Sequence, residues 1–209
     1  MSQKRRPSSA RWLAEHKDDP YVKEARRLGF RSRAVFKLKE IQEKDKLFRP
    51  GQVVVDLGAA PGSWSQWARP LLGPKGRLFA LDILPMEPVA DVEIITGDFR
   101  EEAVLHELER QVGTQAVDLV LSDMAPNVSG IDSADQVGQL HLCELAMEFA
   151  KAHLKPGGIF LVKAFQGEGF ETYLKQLRAI FDAVAIRKPK ASRPRSREVY
   201  LLARSLRRV

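Results

Sequence analysis

Five charged side chains recur at one kind of place in this chain. Asp56 stands in Val53-Val-Val-Asp-Leu57, and Asp82 directly follows Arg77-Leu-Phe-Ala-Leu81. Asp98 comes just after Val92-Glu-Ile-Ile-Thr96, Asp123 just after Val117-Asp-Leu-Val-Leu121, and Lys163 ends Ile159-Phe-Leu-Val-Lys163. Each of these short runs reads as a strand, so the five groups gather where strands end. Carboxylates accept hydrogen bonds from hydroxyl groups, and a lysine at a buried strand end can act as a base. The chemistry such a set suits is binding and activation of a polar, hydroxyl-bearing ligand.

Gly58-Ala-Ala-Pro-Gly62 follows the first strand and allows a tight turn with close backbone approach to a ligand. Asp82 lies 20 residues after Gly62, at the end of the next strand, where a carboxylate can accept both hydroxyls of a ribose. That pairing points to a nucleoside-containing cofactor. The dinucleotide fingerprint fits poorly, because Ala60 stands where a second glycine would meet pyrophosphate and Pro61 lacks an amide hydrogen. A ligand without phosphates is expected. Asp56 is expected to orient the Gly58 turn by accepting backbone amides.

The elements that must position these groups alternate. Ser32 is expected to cap a helix over 33–46, in which Val35, Leu38, Ile41 and Gln42 share a side. After the first strand a helix begins at Ser63. Further helices are expected near 99–111, capped by Asp98, over 134–154, and over 170–181. Two late strands, 183–187 and 198–203, are joined by a link too short for a helical crossover, so they should run antiparallel. Strands alternating with helices predict an α/β fold: a doubly wound, mostly parallel sheet with an antiparallel last strand. Residues 1–30 read as a basic, mobile N-terminal extension that becomes helical before Gly29, and 31–209 as the catalytic domain.

The 209 residues are 44% hydrophobic and 29% charged, enough apolar content for one ordinary core. No apolar run reaches the roughly 20 residues of a membrane-spanning helix, and the first residues lack the apolar segment of a secretory signal. A cytoplasmic protein without membrane contact is expected. The single cysteine, Cys143, excludes an internal disulfide framework and reads as a small core residue. His16, His106, His141 and His153 share no metal-like spacing, so no metal is expected. The net charge of +7 is unevenly placed: 15 basic against 7 acidic residues over 1–49, 9 against 1 over 187–209, but 10 against 19 between. Two basic ends around an acidic body suggest an enzyme core with a grip on a polyanion such as nucleic acid.

Asp56-Leu-Gly-Ala-Ala-Pro-Gly-Ser-Trp64 resembles motif I of class I S-adenosylmethionine-dependent methyltransferases, which have a Rossmann-like fold. Ser122-Asp-Met-Ala-Pro-Asn127, Val162-Lys-Ala-Phe-Gln-Gly-Glu-Gly169 and Ser192-Arg-Pro-Arg-Ser-Arg-Glu-Val-Tyr200 resemble, more narrowly, the FtsJ/RrmJ (RlmE) family of bacterial ribosomal RNA methyltransferases. The resemblance runs from about Arg31 to Ala203. It implies methylation of the ribose 2′-hydroxyl of a uridine in the aminoacyl-site loop of 23S rRNA, within the large ribosomal subunit. S-adenosyl-L-methionine would be the donor and S-adenosyl-L-homocysteine the product. The family's Lys-Asp-Lys-Glu tetrad falls on Lys37, Asp123, Lys163 and Glu198, and its cofactor contacts on Gly62, Trp64, Asp82, Asp98 and Asp123. Ser63 and Ala164 depart from the commonest spelling, both small residues beside functional positions.

Methyl transfer from a sulfonium is an in-line displacement in which positioning does much of the work, while the acceptor hydroxyl needs a base. Lys163 is expected to deprotonate or orient that hydroxyl. Desolvation and Lys37 would favour its neutral amine, and Asp123 the charged form. Asp123 would position the acceptor and touch the cofactor, while Lys37 and Glu198 fix the acceptor ribose and the lysine. Arg31 and Arg33, with Arg193, Arg195 and Arg197, are expected to grip RNA phosphates; Trp67 is assigned to the core. Competing readings are a 2′-O-methyltransferase of transfer RNA, a nicotinamide-dependent oxidoreductase, and a non-catalytic RNA-binding protein. A monomer is expected.

Overall fold

The computed structural model describes residues 18–114, 116–126, 130 and 132–207. Its elements run α1 (Pro20–Arg27), α2 (Ala34–Asp45), β1 (Val53–Leu57), α3 (Ser63–Ala68), a short 3₁₀ turn (Arg69–Leu72), β2 (Arg77–Asp82) and β3 (Glu93–Thr96). They continue with α4 (Glu102–Val112), β4 (Val117–Ser122), α5 (Asp132–His153), β5 (Leu154–Phe165), α6 (Phe170–Ile180), β6 (Phe181–Arg187) and β7 (Glu198–Leu206). The seven strands form one sheet in the order β3-β2-β1-β4-β5-β7-β6. All neighbouring pairs are parallel except those of β7, which runs antiparallel to both β5 and β6.

The apolar strand runs have no polar alternation because both faces are covered. Val55, Leu57, Phe79, Leu81, Val120, Phe160, Val162 and Leu201 face one core, shared with α4, α5 and α6. Their neighbours in the strands, Val54, Leu78, Ala80, Leu119, Leu121, Leu161 and Leu202, face a second core under α2 and α3. This is the twofold alternation of a pleated strand sorted into two layers. Leu121 and Leu161 are fully buried, so truncation of either to alanine would cost about 2–5 kcal/mol.

The element boundaries differ from the sequence reading where tertiary contacts override local pattern. Asp98 does not cap α4, which starts at Glu102; the Asp98 carboxylate is instead held by the Arg100 amide and guanidinium. Ser32 accepts from the Ala34 amide (3.2 Å) and shares a hydrogen bond with the Ser63 hydroxyl (2.8 Å), tying the start of α2 to that of α3. Strand β5 is longer than its apolar run, because Leu154 already pairs with Val117 across an irregularity, while Ala164 and Phe165 pair with Val199 and Glu198. The helix expected before Gly29 is α1, whose Val22 and Ala25 are buried. Residues 1–17, including His16, lie outside the described residues. No helix among the described residues is long and apolar enough to cross a membrane.

Candidate active site

The carboxyl ends of β1, β2, β4 and β5 meet at one edge of the sheet. The turn after β1 is pinned from below: the Gly58 and Ala59 amides donate to the Leu81 carbonyl at 2.8 and 3.1 Å. Gly58 has φ +76°, and a Cβ there would lie 2.6 Å from the Met124 nitrogen, so this glycine lets the turn lie against the segment after β4. Asp82 closes the other side of the turn. Its two carboxylate oxygens accept the Ala60 and Leu84 amides, both at 2.8 Å. Gly62, at φ +95°, begins α3.

Asp56 does not hold the turn as expected. Side chains alternate along β1, so its carboxyl points under α3 and accepts the Ser65 hydroxyl at 2.7 Å. Its Oδ1 accepts nothing from the described residues. Complete burial, against which the Ser65 hydrogen bonds work, pushes its pKa up to about 7, helped by the negative charges of Asp123 and Asp82.

Asp123 lies immediately past β4, fixed by its amide to the Leu57 carbonyl (2.9 Å). Lys163 of β5 approaches it with Nζ 3.1 Å from Oδ1 and also donates to the Asp123 carbonyl. The Tyr200 hydroxyl donates to the same Oδ1 at 2.8 Å. Burial alone would raise the Asp123 pKa, but Lys163, Lys37 and the Tyr200 hydroxyl outweigh it and hold the carboxyl below its ordinary value. Tyr200 itself is kept neutral, its pKa raised well above ordinary by burial and by Asp123.

A second ion pair stands beside the first. Lys37 of α2 is 2.7 Å from Oε1 of Glu198, the first residue of β7, and Ser192 Oγ donates to that oxygen at 2.7 Å. Tyr200 links the pairs, because Lys37 Nζ lies 5.8 Å from the centre of its ring. The register explains the grouping: Lys163 pairs with Tyr200 and Phe165 with Glu198, so these residues alternate onto one side of β5 and β7. A cavity of about 350 Å³ opens there, lined by Ser32, Arg33, Lys37, Arg193, Ser196 and Glu198. Four residues drawn from α2, the segment after β4, β5 and β7 thus form two adjoining ion pairs, and Lys37 and Glu198 of the second line a partly basic cleft.

The sequence profile of the family described as FtsJ-like methyltransferase matches residues 30–206. The chain belongs to that family. It is 59% identical over 204 residues to the ribosomal RNA large subunit methyltransferase E of Azoarcus sp. strain BH72, covering 98% of this chain and all of that protein. It is 59% identical over 203 residues to the protein of the same name from Chromobacterium violaceum, covering 97% of this chain and 99% of that one. A Plasmodium falciparum crystal structure, provisionally designated a ribosomal RNA methyltransferase, superposes with a TM-score of 0.76 at 26% identity, covering 85% of this chain and 98% of that one. A methyltransferase with the class I fold therefore replaces the nicotinamide-dependent alternative.

Within this FtsJ-like methyltransferase, the other expected site residues differ in what they can offer. Asp98 remains near the strand ends, with Arg100 holding its pKa below ordinary. Trp64 is buried, its indole N–H donating to the Ala34 carbonyl (2.8 Å) and its ring centre 5.8 Å from that of Tyr200. A ring so enclosed leaves the backbone as the part of Trp64 that a ligand can meet. Trp67 is half-buried, its ring edge-on to Phe48. Asn127 lies outside the described residues.

Two arginines expected to grip phosphate already hold partners within the chain. Arg31 donates to the Pro61, Glu87 and Pro88 carbonyls at 3.1, 2.6 and 2.7 Å, bracing the glycine turn against the loop after β2. Arg33 pairs with Asp19 and donates to the Ala191 carbonyl. Arg33 still lines the cavity together with Lys37, four residues further on, while Arg31 is committed to the glycine turn. Tyr200 and Ser192 were not singled out as site residues; the twofold alternation from Glu198 to Tyr200 is the signal that places Tyr200 on the same side.

Proposed function

We propose that this chain methylates a ribose 2′-hydroxyl of ribosomal RNA, at a uridine in the aminoacyl-site loop of 23S rRNA within the assembled large subunit, using S-adenosyl-L-methionine. The observation that carries this reading is the Lys163–Asp123 pair joined through Tyr200 to the Lys37–Glu198 pair, the second of which lines a cleft with Arg193. An enzyme of ribosomal RNA works in the cytoplasm, with residues 31–209 as its catalytic unit.

The residues at the glycine turn fit such a donor. Asp82 stays open to further acceptance, because each carboxylate oxygen uses one lone pair on a backbone amide. Ile83 and Leu84 beside it are 55% and 61% exposed, apolar surface that a flat purine can cover. Gly62, the Trp64 backbone, Asp82, Asp98 and Asp123 would hold the nucleoside and amino-acid portions. When bound, the donor supplies a methyl group already activated by a sulfonium.

The chain's own residues then act on the acceptor. Two N–H groups of Lys163 are committed to the Asp123 carboxylate and carbonyl. One position on Nζ is left to meet the acceptor, and through it Lys163 orients the 2′-hydroxyl or takes its proton. Asp123, held ionised, accepts from and orients the lysine. Lys37 and Glu198, paired on the cleft side, fix the ribose and so hold the nucleophile in place. RNA is preferred over DNA because only RNA presents the hydroxyl.

The test is single-turnover methylation of large subunits by Lys163→Ala. Loss of the chemical step with unchanged donor affinity is expected. A near-normal rate would remove the base role, and mapping of the methylated nucleotide would check the acceptor.

A further inference from the structure

The hydrogen-bond ladder between β4 and β5 ends at the pair Ser122–Val162, one residue short of both Asp123 and Lys163. The Asp123 amide turns the other way, to Leu57 of β1. Strand pairing therefore does not fix the two reacting-side residues to each other. The gap is filled from α5. Gln139 is 1% exposed, and its Nε2 donates to the Lys163 carbonyl at 2.9 Å and to the Met124 carbonyl at 3.3 Å. One side-chain amide thus bridges the two chain segments that carry Asp123 and Lys163. One helical turn on, the Cys143 thiol donates to the same Lys163 carbonyl at 3.2 Å, its pKa pushed up to about 12 by burial. The Tyr173 hydroxyl in turn holds the Cys143 carbonyl at 2.8 Å.

The other end of the Gln139 amide is informative. Its Oε1 is buried and accepts no hydrogen bond from the described residues. A buried unsatisfied oxygen is a cost that leucine or methionine at this place in the core would not carry. The two N–H donors are what glutamine supplies here and an apolar residue cannot.

We propose that Gln139 is a positioning residue for methyl transfer, a strut from α5 that sets the spacing of Lys163 and Asp123 where the sheet no longer does. The inference rests on the methyltransferase reading above. A displacement of about 1 Å between reacting groups costs on the order of 100-fold in rate, so removal of the strut should lower kcat by about 10- to 100-fold.

The experiment measures wild type, Gln139→Leu and Gln139→Met with large subunits and S-adenosylmethionine: kcat at saturation, KM for RNA, and donor affinity by titration calorimetry. Expected is a 10- to 100-fold fall in kcat with donor affinity and KM unchanged, in whichever variant keeps the wild-type melting temperature. Wild-type kcat in either variant overturns the inference alone. So does parallel loss of donor affinity in both, which marks Gln139 as merely structural. A wild-type protein that transfers no methyl group to RNA overturns the functional reading instead, before any variant is compared.

Discussion

Replacing Tyr200 by phenylalanine isolates one hydrogen bond at the centre of the site. The ring is fully buried, lies against Trp64 and faces Lys37 Nζ, and phenylalanine keeps all of that. Only the 2.8 Å donation to Asp123 Oδ1 is lost. A hydrogen bond to a charged acceptor is worth about 1.5–3 kcal/mol. For a chain of this length each kcal/mol moves the melting temperature by about 2–4 °C, so Tyr200→Phe should melt about 3–12 °C below wild type at pH 7. The pH dependence follows from the depressed Asp123 pKa. A carboxyl with a lowered folded pKa contributes stability that is present above the unfolded value of about 3.9 and is lost as pH falls through the folded one. Without the hydroxyl the depression is smaller. The deficit should therefore be full at pH 7 and shrink below pH 4, toward the roughly 0.5–1.5 kcal/mol of a neutral hydrogen bond. Thermal melts across pH 3–8 read this directly. Equal melting temperatures at pH 7, or a deficit that grows as pH falls below 4, would refute the assignment of Tyr200 as a charge-stabilising donor.

Arg31→Ala should weaken donor affinity in calorimetry, because its guanidinium braces the glycine turn through the Pro61, Glu87 and Pro88 carbonyls. Arg193→Ala, at the cleft, should instead reduce the slope of log K against log salt by about 0.7–0.9. Asp56→Asn should stabilise the protein more at pH 8 than at pH 5: the raised pKa of about 7 makes ionisation costly as pH climbs from about 4 to 7, by at most about 4 kcal/mol at 1.36 kcal/mol per unit. An equal effect at both values in denaturant titrations would contradict the burial argument. Gly58→Ala, with φ +76° and a Cβ driven onto the Met124 backbone, should cost about 1–3 kcal/mol in backbone strain and more from the clash, and should abolish donor binding. Wild-type affinity in that variant would show that the turn can open.

Much of this architecture is legible in the chain because local pattern and tertiary role agree. The apolar runs around Asp56, Asp123 and Lys163 are strands, and the short link after Arg187 does force the antiparallel arrangement of β6 and β7. Motif spelling brought Lys37, Asp123, Lys163 and Glu198 together across 161 residues of sequence. What stayed hidden depends on direction rather than position. Asp56 looked like a turn-holder, but the pleat sends its carboxyl to Ser65. Asp98 looked like a cap, but Arg100 occupies it. Arg31 and Arg33 looked like phosphate ligands, and the sequence did not show that backbone carbonyls and Asp19 also engage their guanidinium groups. Gln139 gave no signal at all, since nothing in its neighbours shows that the β4–β5 ladder stops one residue too soon.

The insertion of β7 between β5 and β6 also sets an order of events during synthesis. Strands β1 to β3, with the glycine turn and Asp82, can pair as soon as they emerge, but Glu198 and Tyr200 are translated 161 and 163 residues after Lys37. Until then Lys37 has no Glu198 and Asp123 no phenol. A chain that stops short of Glu198 holds the glycine turn and Asp82 but no complete reacting centre, so competence for chemistry is deferred until nearly the whole sheet has closed.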